Sequence, residues 1–429
     1  MLLINTITGE ILVWVGSGDF YNNYDKGQID GVLATNQPGS SMKPFLYGMA
    51  LDHGYSPATI LPDIPTDFGF EELYVPQNFN NRFNGPVRFR VALASSLNVP
   101  AVYLLNKLGV NNYIDWLKNL GFYSLDNDDS GLGLALGNGE VSLYELVQGF
   151  SAFPRDGNVI PLRATTGISQ QKKVYSTDTA RIMCHILSDK AARATGFRNT
   201  KAFDTPFPSI FKTGTANQYQ NITALAATPL FTVGVWMGNF DGETVVGKTG
   251  SSIPASIAKT MLEVVQKESV DFKEPEQWKK AKICSLSGMI AGPHCPHTVM
   301  EYVRGDSEQT CNWHSENGVS YPPIYHNWLN QKNREGFIDE NGSLNIISPK
   351  NNSVFFFDSN AGDKQKLFVE FTSPGDLPVE VNLINNTSGN QLNFEVINEY
   401  RITLPIERGE FTLTMTCGEE SREINYVVY

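Results

Sequence analysis

A serine and a lysine one helical turn apart are the first residues in this chain whose types could do chemistry together. Ser40 and Lys43 lie in the run PGSSMKPF, at the predicted start of a helix, so both side chains share one face. The amino end of a helix offers N–H groups to a developing oxyanion, and a desolvated neutral lysine can accept the proton of a serine. The pattern is weak alone, because Ser-x-x-Lys also begins at residues 169, 209 and 256.

A hydroxyl and an amide two residues apart form the second candidate. Ser96 and Asn98 lie in the run ASSLNVPA, which favours a loop or an irregular turn between helices. From such a loop both side chains can face a cleft, where the serine could relay a proton and the asparagine could hold a substrate amide. A turn serine without a chemical role is the alternative, since Ser-x-Asn also begins at residues 315, 343 and 388.

The third candidate is a Lys-Thr-Gly-Thr run in a predicted strand. Lys212, Thr213 and Thr215 offer a cation and hydroxyl groups to a carboxylate, and backbone N–H groups could complete an oxyanion hole. Gly214 would let a substrate lie against the strand. A second Lys-Thr-Gly at 248–250 has no apolar strand before it, so Lys212 is preferred.

The predicted elements place these candidates in an α+β domain. Strand-like runs lie at the start of the chain and again at 210–213 and 230–237. Helical patterns lie at 45–53, 89–108, 111–120, 142–153, 176–187 and 256–267. Strands at both ends predict one sheet whose first and last strands meet, with a helical region inserted between them.

Beyond this domain the residue pattern changes twice along the chain. A charged stretch leads into a Cys/His-containing segment, and from about residue 336 seven short alternating runs are separated by turn residues. The alternating runs predict an all-β sandwich of immunoglobulin-like type. We therefore predict a catalytic domain at 1–271, a small connector at 272–335 and a β-sandwich at 336–429.

Composition excludes several classes of function. The 429 residues include 45 acidic and 33 basic side chains, and no block of lysine and arginine is present to neutralise phosphates, so we expect no nucleic-acid partner. With 41% hydrophobic residues the chain is globular rather than disordered. No apolar run reaches the length of a membrane span, and no signal peptide opens the sequence. The abrupt start in a strand predicts a fragment whose membrane anchor lies upstream.

Three cysteines and a histidine in the connector suggest either a metal site or a disulfide. Cys284, Cys295, Cys311 and His314 could bind tetrahedral zinc, although spacings of eleven and sixteen positions match no recognised zinc pattern. In an oxidising compartment, one disulfide with a spare thiol is at least as consistent. The prediction is therefore no cofactor and no metal, with zinc as the alternative.

The order and spacing of the three motifs carry more information than each motif alone. Ser40 and Ser96 are separated by 56 positions, and Ser96 and Lys212 by 116. Serine, lysine and a Lys-Thr-Gly strand act together in penicilloyl-serine enzymes, and the sequence resembles the transpeptidase domain of the class A penicillin-binding proteins. Further runs that carry the resemblance are TGE at 8–10, ALGNGEVS at 135–142 and VGVWMGN at 233–239.

The connector and the terminal β-domain are similar to the 1C type of that family. The resemblance covers essentially the whole chain and implies the sheet shared with serine β-lactamases. The 1C type carries a membrane anchor and a glycosyltransferase domain before the transpeptidase, and neither is found in these residues. The resemblance therefore implies a fragment of a bifunctional cell-wall synthase, on the periplasmic side of the bacterial inner membrane.

The resemblance also implies roles for individual residues in an acyl-serine D,D-transpeptidase. Ser40 would attack the penultimate D-alanine carbonyl of a peptidoglycan stem peptide and expel the terminal D-alanine. Lys43 would act as the base, Ser96 would relay the proton to the leaving amine, and Asn98 would hold the peptide amide.

Recognition of the substrate would fall to the Lys-Thr-Gly strand. The resemblance implies that Lys212, Thr213 and Thr215 bind the terminal carboxylate, with the backbone N–H groups of Ser40 and Thr215 as the oxyanion hole. The amine of a neighbouring stem peptide would then take the acyl group. β-Lactam antibiotics would be covalent inhibitors, and the terminal β-domain would bind a protein partner or glycan.

Two other functions remain open at the level of sequence. Water as the acceptor would give a D,D-carboxypeptidase or a β-lactam-hydrolysing enzyme, because the three motifs do not determine which acceptor reaches the acyl-enzyme. A catalytically weak module that binds peptidoglycan or a partner protein is the other alternative.

Overall fold

The computed structural model divides the chain into two compact units, Met1–Tyr321 and Pro322–Tyr429. It describes residues 1–24, 26–69, 74–79, 82–125, 130–165, 167, 170–194, 201–216, 220–245, 252–305, 309–316, 318–329, 344–349, 351–355, 366–372, 378–396, 401–405 and 407–429. The predicted boundary at 271/272 falls inside the first unit, and the one at 335/336 lies outside the described residues.

The described strands of the first unit form one large sheet and several small pairs. Their bounds are β1 Leu2–Asn5, β2 Ile11–Trp14, β3 Thr35–Asn36, β4 Ile60–Asp63, β5 Gly85–Arg88, β6 Val141–Ser142, β7 Asn158–Val159, β8 Lys172–Lys173, β9 Ile210–Thr215, β10 Asn221–Ala227, β11 Phe231–Gly238, β12 Trp278–Cys284, β13 Thr298–Arg304, β14 His314–Ser315 and β15 Gly318–Val319.

The central sheet has five antiparallel strands in the order β2-β1-β11-β10-β9. Strand β1 pairs with β11 from Leu2↔Gly234 to Asn5↔Phe231, so the predicted meeting of the first and last strands is confirmed. The sequence analysis did not predict β10, which is rich in alanine and has few β-branched residues. Pairing on both sides fixes it as a strand.

The helices of the first unit cover both faces of this sheet. Their bounds are α1 Lys43–Asp52, α2 Phe89–Ala94, α3 Val99–Leu108, α4 Val110–Leu120, α5 Leu143–Phe150, α6 Thr177–Leu187, α7 Lys190–Ala194 and α8 Ile253–Val265, with 3₁₀ helices at Gly39–Met42, Gly131–Leu136 and Lys201–Phe203. Leu2 and Ile4 of β1 join the large core under most of the helices, while Leu3 faces α8. No helix in the described part of the chain is long and apolar enough to cross a membrane.

Two features of these helices bear on the candidate residues. Helix α1 is buried from Lys43 to Leu51, so it runs through the core instead of along the surface. The helical prediction over 89–108 is wrong at its centre, because α2 ends at Ala94 and α3 begins at Val99, and the turn between helices predicted for the run ASSLNVPA is confirmed there. Ser96 in the break has a left-handed backbone with φ of 60°, which a continuous α-helix cannot accommodate.

The hairpin of β12 and β13 packs on the helical region and not apart from it. Glu301 on β13 is buried and pairs with Arg90 at 2.5 Å and with Arg88 at 3.1 Å. These ion pairs join the predicted connector to β5 and α2. This packing is the physical reason that residues 272–321 belong to the first compact unit.

The described residues of the second unit form two sheets and a 3₁₀ helix, Pro323–Tyr325. One sheet has the order β16-β18-β21 and the other β17-β23-β22-β19-β20, and one hydrophobic cluster takes side chains from both sheets. Each of the seven predicted runs contains a strand, and the immunoglobulin-like sandwich type stays a prediction. The bounds are β16 Asn345–Ser348, β17 Ser353–Phe355, β18 Lys366–Thr372, β19 Val379–Asn385, β20 Gln391–Val396, β21 Arg401–Pro405, β22 Gly409–Cys417 and β23 Glu420–Val428.

Removing the buried carboxylate of the hairpin tests the packing of the first unit. Glu301→Ala removes the buried carboxylate that pairs with two arginines and leaves one of them, Arg90, its second pair, to Asp189 at 3.3 Å. We expect it to lower the free energy of unfolding by about 3–5 kcal/mol. Asp204→Ala breaks the exposed Lys190–Asp204 pair and serves as the control, with an expected loss of about 0–1 kcal/mol. Urea unfolding followed by tryptophan fluorescence measures both. Equal losses in the two variants would contradict this role of the buried pair.

Candidate active site

The turn that carries Ser40 is a 3₁₀ helix that runs directly into α1. The N–H of Lys43 donates to the carbonyl of Ser40, which fixes the two residues on one turn. Ser40 is half-buried, whereas Ser41 is buried and donates its hydroxyl proton to the carbonyl of Pro38 at 2.8 Å. Of the two adjacent serines, Ser40 is therefore the one with access to a substrate.

Strand β9 lies so close to this turn that a side chain would not fit between them. A Cβ atom at Gly214 would overlap the carbonyl oxygen of Pro38, and one at Gly39 would lie 2.6 Å from the carbonyl oxygen of Thr215. The predicted Lys-Thr-Gly strand is thus placed directly beside the turn of Ser40. Gly214 is required for this close approach, in addition to any contact with a substrate.

A third segment, at 135–142, packs against the turn that carries Ser40. Gly137 has a φ of 80°, and a Cβ atom there would overlap the carbonyl oxygen of Gly39. The N–H of Gly39 donates to the carbonyl of Gly137 at 3.3 Å. The run at 135–142 that contributed to the family resemblance therefore supports the backbone of the nucleophile turn.

Lys43 links the start of α1 to the loop between α2 and α3. Its side chain is fully buried, and its Nζ donates to the carbonyl of Ser96 at 2.7 Å and to Oδ1 of Asn98 at 2.6 Å. Burial, reinforced by the nearby charge of Lys212, holds the pKa of Lys43 well below its usual range. A lysine in this state can be neutral and accept a proton.

Lys212 approaches the same loop residue from strand β9. Its Nζ donates to the hydroxyl oxygen of Ser96 at 2.9 Å and to the carbonyl of Thr213 at 2.7 Å. Burial, followed by the charge of Arg193, lowers the pKa of Lys212 to about 7. Ser96 is therefore bound at its carbonyl by one lysine and at its hydroxyl by the other.

The sequence analysis missed the residues that hold Asn98 in place. The N–H of Asn98 donates to Oδ1 of Asn78, and its Nδ2 donates to the carbonyl of Gln77, both at 2.8 Å. Nδ2 of Asn78 in turn donates to both carboxylate oxygens of Asp63 at 2.7 and 2.9 Å. The signal that could have found this support is Asp63 itself, a lone carboxylate in the apolar run ILPDIP.

Asp63 supplies a negative charge near the buried Lys43. Burial raises the pKa of Asp63, and hydrogen bonds from Asn84 and Asn78 oppose that rise. The charge of Asp63 partly opposes the lowering of the Lys43 pKa.

The structure brings the three predicted motifs together, whereas the serines of the alternative Ser-x-x-Lys matches at 209 and 256 have other surroundings. Ser209 is hydrogen-bonded to Thr205, and Ser256 and Lys259 lie on α8, where Lys259 is near Glu263. The matches at 169 and at 248–250 lie outside the described residues. The Cys/His set forms a separate cluster on the connector.

A half-buried serine on the turn before one lysine of lowered pKa, packed against the strand that carries another, is an arrangement that can perform acyl transfer through a serine ester. Comparison with known proteins supports this class of acyl-serine enzyme. Residues 1–260 match the model of the penicillin binding protein transpeptidase domain, and the chain belongs to that family.

Curated relatives give the same assignment. The chain is 30% identical over 295 residues to penicillin-binding protein 1C of Escherichia coli, which covers 67% of this chain and 37% of that protein. It is 30% identical to penicillin-binding protein 4 of Bacillus subtilis over 55% of this chain and 39% of that one. The chain thus spans about two fifths of the length of these relatives.

Two solved structures show the similarity of the fold. The crystal structure of penicillin-binding protein 1A from Haemophilus influenzae matches with a TM-score of 0.63 at 21% identity, over 72% of this chain and 53% of that one. PonA1 from Mycobacterium tuberculosis, solved in complex with penicillin V, matches with a TM-score of 0.55 at 19% identity, over 64% of this chain and 80% of that one.

The contact between β9 and the nucleophile turn can be tested by adding one methyl group. Gly214→Ala forces the strand away from Pro38, and we expect the rate of covalent labelling by a reporter penicillin to fall by roughly 100-fold, because a displacement of about 1 Å misaligns the reacting groups. Gly305→Ala is the control, since a Cβ atom there meets nothing within 4 Å. If the Gly214→Ala variant is labelled at the wild-type rate, the close contact between β9 and the turn of Ser40 is contradicted.

Proposed function

We propose that this chain is an acyl-serine D,D-transpeptidase that cross-links peptidoglycan stem peptides ending in D-Ala-D-Ala. The observation that supports this best is the double contact of Ser96, whose carbonyl accepts from Lys43 and whose hydroxyl accepts from Lys212. This contact supports Lys43 as the proton acceptor and Ser96 as the proton relay in the proposal.

Acylation follows from these positions. Oγ of Ser40 attacks the carbonyl carbon of the penultimate residue while neutral Lys43 takes the hydroxyl proton. The C–N bond to the terminal residue then breaks, and the leaving amine receives its proton from the hydroxyl of Ser96. Lys212, whose Nζ contacts this hydroxyl, restores the proton to Ser96, and the proton held by Lys43 in turn restores Lys212. The serine ester retains the acyl group, and one proton has passed from the hydroxyl to the amine.

Recognition of the substrate's terminal carboxylate is assigned to the Lys-Thr-Gly strand. Lys212 supplies the positive charge, and the hydroxyls of Thr213 and Thr215 supply hydrogen bonds. A bound carboxylate next to Lys212 favours the charged form of this lysine. The N–H groups of Ser40 and Thr215 form the oxyanion hole in this proposal, supported by the close contact of turn and strand.

The acyl group passes to an amine of a second stem peptide, which restores Ser40 and creates the cross-link. β-Lactams acylate the same serine, as the penicillin V complex of PonA1 suggests by analogy. The proposed location is the periplasmic face of the bacterial inner membrane, in keeping with the cell-wall relatives.

The nucleophile is tested by intact-protein mass spectrometry after incubation with a reporter penicillin. We expect one adduct per wild-type chain and none on Ser40→Ala, because only Ser40 can form the ester. Ser41→Ala is the matched control, since the neighbouring serine is buried and bonded to Pro38. An adduct that persists on the Ser40 variant would overturn the assignment.

The acceptor is tested separately with purified stem peptides. Formation of a peptide dimer with release of one D-alanine supports transpeptidation. Release of D-alanine without dimer would identify water as the acceptor and replace the proposal with a carboxypeptidase. Absence of both reactions, in a chain that still forms the penicillin adduct, would contradict turnover of this donor.

The pH dependence of acylation tests the charge state of Lys212. The second-order rate constant for the penicillin reports the free enzyme, so we expect it to fall as pH rises through about 7, where Lys212 loses the charge that binds the carboxylate. Lys212→Arg keeps the charge and should remove this alkaline decline. A wild-type rate that is constant across this region would contradict the role of the Lys212 charge.

A further inference from the structure

A second cluster of reactive side chains lies on the connector and takes no part in acyl transfer. One ligand atom from each of Cys284, Cys295, Cys311 and His314 lies within 4.8 Å of every other. Cys284 is buried and Cys311 is half-buried. We propose that these four residues bind a structural Zn²⁺ ion.

Three separate segments of backbone converge to form the cluster. Cys284 is the last residue of β12, Cys295 lies in the turn before β13, and His314 begins β14. The N–H of Cys295 donates to the carbonyl of Gly292 at 3.2 Å. The N–H of Cys311 donates to the carbonyl of Ile290 at 2.8 Å, so this segment is also fixed by the main chain.

The distances fit ligands around one metal ion. Nδ1 of His314 lies 3.5 Å from Sγ of Cys284, 3.8 Å from Sγ of Cys295 and 3.4 Å from Sγ of Cys311. With Zn–S of about 2.3 Å and Zn–N of about 2.0 Å, tetrahedral coordination separates sulfur from nitrogen by about 3.6 Å. A single ring nitrogen cannot hydrogen-bond to three thiols at once, so a shared central ion explains the arrangement better than hydrogen bonds do.

A disulfide does not account for the cluster. All five cysteines of the chain are free thiols in the structure, including the three of this cluster. The sulfur atoms surround a common nitrogen, whereas a disulfide would draw two of them to about 2.05 Å from one another.

Hydrogen-bond donors around the sulfurs favour their charged form. The N–H of Ser287 donates to Sγ of Cys284 at 3.5 Å, and the N–H of Gly292 donates to Sγ of Cys295 at 3.3 Å. The hydroxyl of Ser287 donates to Sγ of Cys311 at 3.1 Å. Such outer contacts orient metal ligands and stabilise thiolates.

The types of the four ligand residues favour zinc over other metals, and the position of the cluster on the connector indicates a structural role. Three thiolates and one imidazole in a tetrahedron suit Zn²⁺, and four protein ligands leave no place for a reacting water. The surrounding buried apolar cluster is small, with Ala58, Ile283 and Val303 as its buried members. A bound ion would supply the cross-link that so small a core lacks.

Metal analysis of the full 429-residue chain tests the proposal without reference to catalysis. The protein is purified under reducing conditions, dialysed against buffered Zn²⁺ and then against metal-free buffer, and measured by mass spectrometry of the elements. We expect about one zinc per chain in the wild type and in Cys417→Ser, a control that removes a thiol of the second unit. In Cys295→Ser and His314→Ala we expect the retained zinc to fall at least several-fold. A wild-type chain without bound zinc would overturn the proposal.

Substitution of cobalt for zinc keeps the test valid if a variant fails to fold. Co²⁺ added to the metal-free wild-type chain should give the visible bands of tetrahedral cobalt with thiolate ligands, and Zn²⁺ should displace them. Absence of these bands, or the spectrum of an octahedral ion, would contradict the Cys₃His site. Firm retention of iron in place of zinc would contradict the choice of metal.

Discussion

The burial of two lysines on either side of Ser96 is the constraint on which the rest of the first unit depends. For Lys212, a pKa of about 7 against about 10.4 in the unfolded chain corresponds to a destabilisation on the order of 4–5 kcal/mol below pH 7. Because the unfolded state binds more protons across this window, stability rises with pH between about 7 and 10. The fold must offset this cost elsewhere.

The surrounding architecture holds the lysines in place from elements far apart in the chain. Helix α1 runs through the core and leaves Lys43 no route to solvent, while β9 is fixed by its pairing with β10 and carries Lys212. Close contacts of backbone at Gly39, Gly137 and Gly214 bring the turn, the 135–142 segment and the strand together. The same contacts therefore bring the elements that carry the two amines together with the turn that carries Ser40.

The sequence predicted the parts of this site whose chemistry is local and missed those that depend on packing. Motif order and spacing predicted that Ser40, Ser96 and Lys212 act together, and strand patterns predicted that β1 meets β11. Strand β10 was missed because alanine has a weak strand preference and only its two neighbours determine its conformation. The docking of the β12–β13 hairpin through Glu301 arises from contacts between distant residues, which periodicity does not report. The turn between α2 and α3 was predicted from its residues, whereas the left-handed backbone of Ser96 was not.

The proposed acylation mechanism requires that Lys43 and Lys212 have lowered pKa values in the folded enzyme. Nuclear magnetic resonance of lysine side chains labelled with ¹³C at the ε position measures this directly, with Lys43→Met and Lys212→Met used to assign the two signals. We expect a Lys212 signal that titrates at about 7 and a Lys43 signal that titrates well below the ordinary lysine range. Titration of both lysines in the ordinary range, near 10.5, would contradict the mechanism.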